Sequence, residues 1–171
     1  MSRALEMRAA FDHSFAEAPH TEAATLQDFL AIRVGPDPYA IRLADITGLY
    51  ADRRITRLPS ADPAFLGIAG VRGAVVPVYE LGPFLGYPAG EAWRWLLVIG
   101  GASLALAVDT FEGHLRVPQA ALAAQIGTAR SRDFVHEVLH VAGSARPVVH
   151  VSDLFHSIEQ AAQHRGQHEE S

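Results

Sequence analysis

The chain has 171 residues, 49% of them apolar and 19% charged, with a formal net charge of −5. That length suits one domain or two small lobes around a shared core, burying roughly 70% of the unfolded surface with no need of a metal or disulfide staple. Cysteine and lysine are absent and all 14 basic residues are arginine, which excludes disulfides, thiolate metal sites, cysteine nucleophiles, P-loop lysines and Schiff-base chemistry. The acidic balance argues against nucleic acid as a partner, because no arginine cluster exceeds Arg53, Arg54 and Arg57. The longest uncharged apolar stretch, Trp95 to Val108, falls short of the roughly 20 residues a spanning helix needs, and Gly100-Gly101 breaks it. Arg3, Glu6 and Arg8 sit where a signal peptide would be apolar, so a cytoplasmic protein without direct membrane insertion is expected.

Residues 1–24 read as a flexible or helical N-terminal extension, with Met7, Phe11 and Phe15 sharing one face of any helix formed there. Structured sequence is expected from Leu26. Leu30, Ile32 and Val34 alternate on one strand, Gly35-Pro-Asp-Pro38 is turn chemistry, and Tyr39, Ile41 and Leu43 alternate inward on the next. Ala44 to Leu49 reads as one helical turn, and Arg54 to Leu58 as a strand stopped by Pro59. Ser60 or Asp62 is placed to cap a short helix through Leu66. Two strands are expected about the turn Arg72-Gly73, then a helical turn from Glu80 to Leu85 ending at Gly86. Trp93–Ile99 and Ser103–Val108 form a predicted hairpin, followed by a strand over Phe111–Val117. Residues 119–133 read as an alanine-rich loop or short helix. A last hairpin over Phe134–Val141 and Pro147–Val151 leads into a C-terminal helix that starts at Ser152 or Asp153 and ends near His164. Residues 165–171 are expected to form a disordered tail. The total is mainly β, with strands at barrel-like spacing.

Three motifs suggest enzymes. His136-Glu-Val-Leu-His140 matches H-E-x-x-H, in which two histidines on one helical face hold zinc and Glu137 is the base of a metallopeptidase. Its flanks, Phe134-Val135 and Val138 to Val141, favour a strand, where the histidines would stand about 13 Å apart. The position of a third histidine is Arg146, and no methionine follows Met7. Gly101-Ala-Ser-Leu-Ala105 approaches a nucleophile elbow but leads into strand-forming residues rather than the required helix. His164 and His168, four apart, lie in the tail.

Phe65-Leu-Gly-Ile-Ala-Gly-Val-Arg-Gly-Ala-Val-Val-Pro-Val-Tyr-Glu-Leu81 resembles the signature of the CheW family of bacterial chemotaxis coupling proteins. Tyr39–Leu43, Ile55–Pro59, Leu106–Asp109 and Pro147–Leu154 fall at that family's order and spacing, and the likeness covers residues 26–160. The resemblance implies two small five-stranded SH3-like β-barrels sharing a core, spanning residues 25–164, with a C-terminal helix. It implies no catalytic activity and no cofactor. It further implies an adaptor between methyl-accepting chemoreceptor tips and a CheA-type histidine kinase, recruited to receptor arrays. By position, Ile46 and Arg72 match the receptor-facing groove, Trp93 and His114 its second wall, and Leu49 and Tyr50 the place where the kinase is faced. Two departures stand out. Gly70 replaces the family's asparagine, and Gly48 stands where a glutamate able to pair with the arginine is often found. Glu80 and Asp109 are then the nearest candidate partners of Arg72, and a divergent scaffold of a non-flagellar pathway is the alternative reading.

Overall fold

Period-two alternation dominates the chain and is realised as strands. The computed structural model describes residues 25–100, 103–125 and 133–168, so the expected face of Met7, Phe11 and Phe15 lies outside the described residues. In chain order the strands are β1 (Leu26–Val34), β2 (Asp37–Arg42), β3 (Ile46–Ala51), β4 (Ile55–Arg57), β5 (Phe65–Val71) and β6 (Ala74–Glu80). They continue as β7 (Trp95–Ile99), β8 (Leu104–Val108), β9 (Thr110–Pro118), β10 (Leu122–Ala124), β11 (Val135–Val141) and β12 (Ser144–Val149). Two helices follow β6 and β12: α1 (Leu81–Phe84) and α2 (Val151–His168).

The strands form two six-stranded sheets, β10-β11-β12-β2-β1-β9 and β3-β7-β8-β6-β5-β4. In each, the two edge strands are consecutive in the chain: β9 leads to β10 through a 3₁₀ turn at Gln119–Ala121, and β3 leads to β4 through Asp52–Arg54. Such short links force each sheet to curl until its edges approach, which is barrel geometry. The sheets also share one pairing pattern. A hairpin (β1–β2 or β7–β8) is flanked by an antiparallel edge strand on one side and a parallel neighbour on the other.

Two strands of this architecture differ from the sequence reading. Ala44 to Leu49 reads as one helical turn in the sequence, but the 3₁₀ turn is confined to Leu43–Asp45, and the chain from Ile46 to Ala51 pairs with β7. β10 falls in the stretch read as an alanine-rich loop or short helix. Neither strand alternates clearly, so cross-strand pairing rather than pattern makes it. These two account for six strands per sheet in place of five. Leu43 is part-exposed rather than inward, because it begins the turn that carries the chain to the second sheet. No helix forms through Leu66. Instead Asp62 Oδ1 accepts the Ala64 amide at 3.0 Å in a local turn, and β5 starts at Phe65. The closing helix runs to His168, beyond the boundary expected at 164, so the expected tail is helical over 165–168; residues 169–171 lie outside the described residues.

Three apolar clusters follow from alternation on strands that are covered on both faces. Phe29, Ala40, Val117, Leu139 and Val148 fill the first barrel. Leu66, Ala69, Val71, Val76, Val78, Leu96, Ala105 and Ala107 fill the second. The opposite faces of the two central hairpins meet in a shared core: Leu30, Ile32, Tyr39 and Ile41 against Leu97, Ile99, Leu104, Leu106 and Val108. Hence all five residues of β8 are buried. From α2, Val151, Leu154 and Ile158 enter that core on one helical face, and α1 adds Leu81. Each large apolar side chain buried this way contributes about 1.5–3 kcal/mol.

Candidate functional site

The β5–β6 hairpin turns through Arg72 and Gly73, at φ 49° and 80°. Positive φ at both central residues is the signature of a type I′ turn, whose twist matches the flanking strands. Gly73 adopts it freely, while Arg72 does so at some steric cost. The Arg72 side chain is exposed and, among the described residues, makes no hydrogen bond or ion pair; Val75 beside it is 69% exposed. The opposite turn, Ala142-Gly143 between β11 and β12, has the same pair of positive φ values but carries no charge.

Pairing register settles which expected site residues can meet. Ile46 opposes Ile99 at the end of β7 that connects toward β8, the same end of the barrel as the Arg72 hairpin. Glu80, Trp95 and Val108 define the other end, because Glu80 pairs with Ala107 and Trp95 with Val108. The length of β6, roughly 20 Å at about 3.3 Å per residue, separates the two ends. Glu80 and Asp109 therefore do not serve as partners of Arg72.

Ile46 and Leu49 are half-buried against the shared core, and Tyr50 against the core of the second barrel, with the Arg53 guanidinium 4.9 Å above its ring. The Tyr50 ring lies across Gly48, so a Cβ at 48 would come within 2.6 Å of Cε2. Trp93 is half-buried at the Glu80 end, stacked under Arg57 at 5.2 Å. His114 is exposed on β9 of the first barrel, its Nε2 2.8 Å from Asp28. Of the six expected residues, Ile46 and Arg72 share an end of the second barrel, while Trp93 and His114 stand apart from them and on different barrels.

Sequence reasoning weighed Glu80 only as a partner for Arg72. In the fold it is the one buried charged residue among those described. Burial pushes its carboxyl above the usual range, and nearby Asp109 pushes the same way. The Gly90 amide donating to Oε1 at 2.7 Å, the Arg57 charge and the facing Trp93 indole N–H pull it partly back. No sequence signal separates this glutamate from an exposed one at a strand end. On the outer face of the first barrel, Glu112 accepts from Arg33 at 2.8 Å and pairs with Arg146 at 2.6 Å. Burial alone would raise its pKa, but the two arginines hold it below the usual carboxylate range.

The H-E-x-x-H stretch lies on β11, as its flanks predicted. Glu137 is engaged by Arg42 and by His150, at 3.3 Å from the latter, and His136 by Asp153 at 2.9 Å. Among the described residues no three His, Asp or Glu side chains converge to hold a metal. The zinc peptidase reading has no assembled site. Ser103, the would-be nucleophile, precedes strand β8 rather than a helix.

A family model for the CheW-like domain matches residues 28–159. The chain belongs to the CheW-like domain family. It is 25% identical over 142 residues to the chemotaxis protein CheW of Rhizobium meliloti (strain 1021), covering 80% of this chain and 92% of that one. The scaffolding protein TtCheW of Thermoanaerobacter tengcongensis superposes with a TM-score of 0.65 at 16% identity, covering 72% of this chain and 88% of that structure. The family is one of non-enzymatic adaptors and scaffolds of chemotaxis, and the mainly β fold is that of its paired SH3-like subdomains. Among the described residues no helix is long and apolar enough to cross a membrane.

Proposed function

We propose that this CheW-like chain couples methyl-accepting chemoreceptor tips to a CheA-type histidine kinase, in the cytoplasm at receptor arrays. The observation that carries the reading is the free guanidinium of Arg72, presented on a tight hairpin turn beside the exposed Val75. An arginine with five unused donors next to exposed apolar surface is what a binding hot spot requires, and its truncation there costs about 2 kcal/mol or more. Ile46, at the same end of the barrel, extends this surface. Leu49 and Tyr50 on β3 would face the kinase, and Trp93 and His114 would contribute separate contacts rather than a wall continuous with Arg72.

The Tyr50 ring across Gly48 favours a variant of this role, a scaffold of a non-flagellar pathway. The space beside Gly48 is filled by an aromatic ring, so a receptor would meet a surface different from one carrying a glutamate there. The test is a binding titration of the full chain against reconstituted receptor tips and kinase from the same cell, with wild type and Arg72→Ala. Assembly weakened at least tenfold by the substitution supports the reading, and unchanged assembly overturns it.

A further inference from the structure

Arg33, Arg42, Arg94, Arg116 and Arg146 each pair with a carboxylate inside the fold. Arg53, Arg54 and Arg57 have no ion-pair partner among the described residues, although they fall within five consecutive positions of a chain whose net charge is −5. All three are exposed, on the link that follows β3 and on the edge strand β4. The acids nearby are engaged elsewhere. Asp52 pairs with Arg94 at 3.2 Å, while Glu80 is buried, accepts the Gly90 amide and faces the Trp93 indole N–H.

Two of the three arginines are held by aromatic rings. Arg53 lies 4.9 Å above Tyr50 and Arg57 lies 5.2 Å above Trp93, and both rings pack on the core of the second barrel. A guanidinium stacked by its face keeps its N–H edge free, and it has less rotamer freedom left to lose on binding. Leu58, 43% exposed, adds apolar surface next to Arg57. From Arg53 to Arg57 the row spans up to about 13 Å of extended chain, more than one small anion covers. Carboxylates on alternate residues of an extended peptide recur about every 7 Å, which matches such a row. Each can meet an arginine fork in bidentate geometry. Nucleic acid fits less well, because it draws on a wider basic face than three arginines provide.

We propose that Arg53, Arg54 and Arg57 form a docking surface for an extended acidic segment of a partner protein, with carboxylates on alternate residues. The Arg72 hairpin lies at the opposite end of the second barrel, so this surface is a second one and does not rest on the Arg72 reading. Tyr50 and Trp93 are positioning residues: they set the guanidinium planes and leave the donors to the partner. Glu80 holds Trp93 from the buried side through the indole N–H.

The test is a fluorescence-anisotropy titration of the full chain, at low ionic strength, with a fluorescein-labelled peptide in which glutamate alternates with threonine. The same peptide with glutamine in place of glutamate is the charge control, and oligothymidylate is the phosphate competitor. Saturable binding of the acidic peptide that falls at least tenfold in Arg53→Gln/Arg57→Gln and is unchanged in Arg116→Gln, with no binding of the glutamine peptide, supports the surface. Absence of saturable binding, an equal loss in Arg116→Gln, or equal binding of the glutamine peptide overturns it. Displacement by oligothymidylate at lower concentration than by unlabelled acidic peptide also overturns it, in favour of a phosphate-reading surface. Should the double variant fail to fold, as judged by circular dichroism, Arg54→Gln decides alone, since its exposed side chain can be changed with both stacked arginines left in place.

Discussion

The ring of Tyr50 occupies the space that a side chain at position 48 would need: a Cβ on Gly48 would sit 2.6 Å from Tyr50 Cε2 and 3.1 Å from its hydroxyl oxygen. The two residues lie on one edge strand, two apart, and the ring is held from outside by Arg53 and from inside by the core of the second barrel. A side chain at position 48 and the Tyr50 conformation seen here exclude one another. Gly48→Ala is expected to lower stability by about 1–2 kcal/mol, the usual range for overpacking. In a Tyr50→Ala background that cost should largely disappear. A double-mutant cycle by urea denaturation measures the coupling, and additive effects would contradict the contact.

Arg72 occupies a left-handed backbone position that asparagine tolerates better. Arg72→Asn should therefore leave stability unchanged or raise it by up to about 1 kcal/mol, while binding to the receptor–kinase assembly falls at least tenfold. Paired denaturant melts and titrations on the same variant check both halves. A loss of several kcal/mol would make Arg72 a structural turn residue.

Glu112 links β9 to Arg33 and Arg146, and its folded pKa lies below its unfolded value. Its ionised form thus stabilises the fold above the unfolded pKa, and this contribution is lost as pH falls through the lowered one. Glu112→Gln should cost about 1 kcal/mol near pH 7, at the upper end for part-exposed ion pairs, and nothing in strong acid. Chemical melts across pH 2 to 7, set by the ordinary carboxylate range, test the convergence of the two curves.

Glu80 behaves with the opposite sign. Its folded pKa is raised, chiefly by burial, so the stability its protonated form supplies is present below the unfolded pKa and lost as pH rises through the folded one. Glu80→Gln keeps an acceptor for the Gly90 amide and removes the charge. The variant should gain on the wild type in melting temperature as pH increases from acid to neutral. A constant difference at every pH would show that the carboxyl does not titrate in this way.

His136 and His140 project from one strand, and His136 is paired with Asp153 on α2. Purified protein exposed to zinc and then dialysed is expected to retain less than one ion per chain, and His136→Ala should cost less than about 1 kcal/mol, as for an exposed pair. Elemental analysis gives the first result and a thermal melt the second. Stoichiometric zinc that is lost in His136→Ala would revive the metallopeptidase reading.

Alternation along the chain was enough to locate ten of the strands, the Arg72-Gly73 turn, the α1 turn ending at Gly86 and the start of the closing helix near Val151. It also placed His136 and His140 on a strand, because valine and phenylalanine flanks report local preference directly. The order of motifs around Arg72 pointed to the family. Local pattern had no means of revealing β3 and β10, whose residues become strands only because β7 and β11 lie alongside with free backbone groups. Nor did it reveal that β8 is buried on both faces, since that follows from one barrel packing on the other. The same holds for the site. Arg72 was legible from its glycine-flanked turn, but its distance from Glu80 and Trp93 is a matter of register. The burial of Glu80 beside Asp109 depends on three loops from two barrels closing over one carboxylate. Charge and spacing in a sequence name the residues. Only the packing of distant segments fixes the dielectric around them and the partners within reach, and those two quantities decide what the residues do.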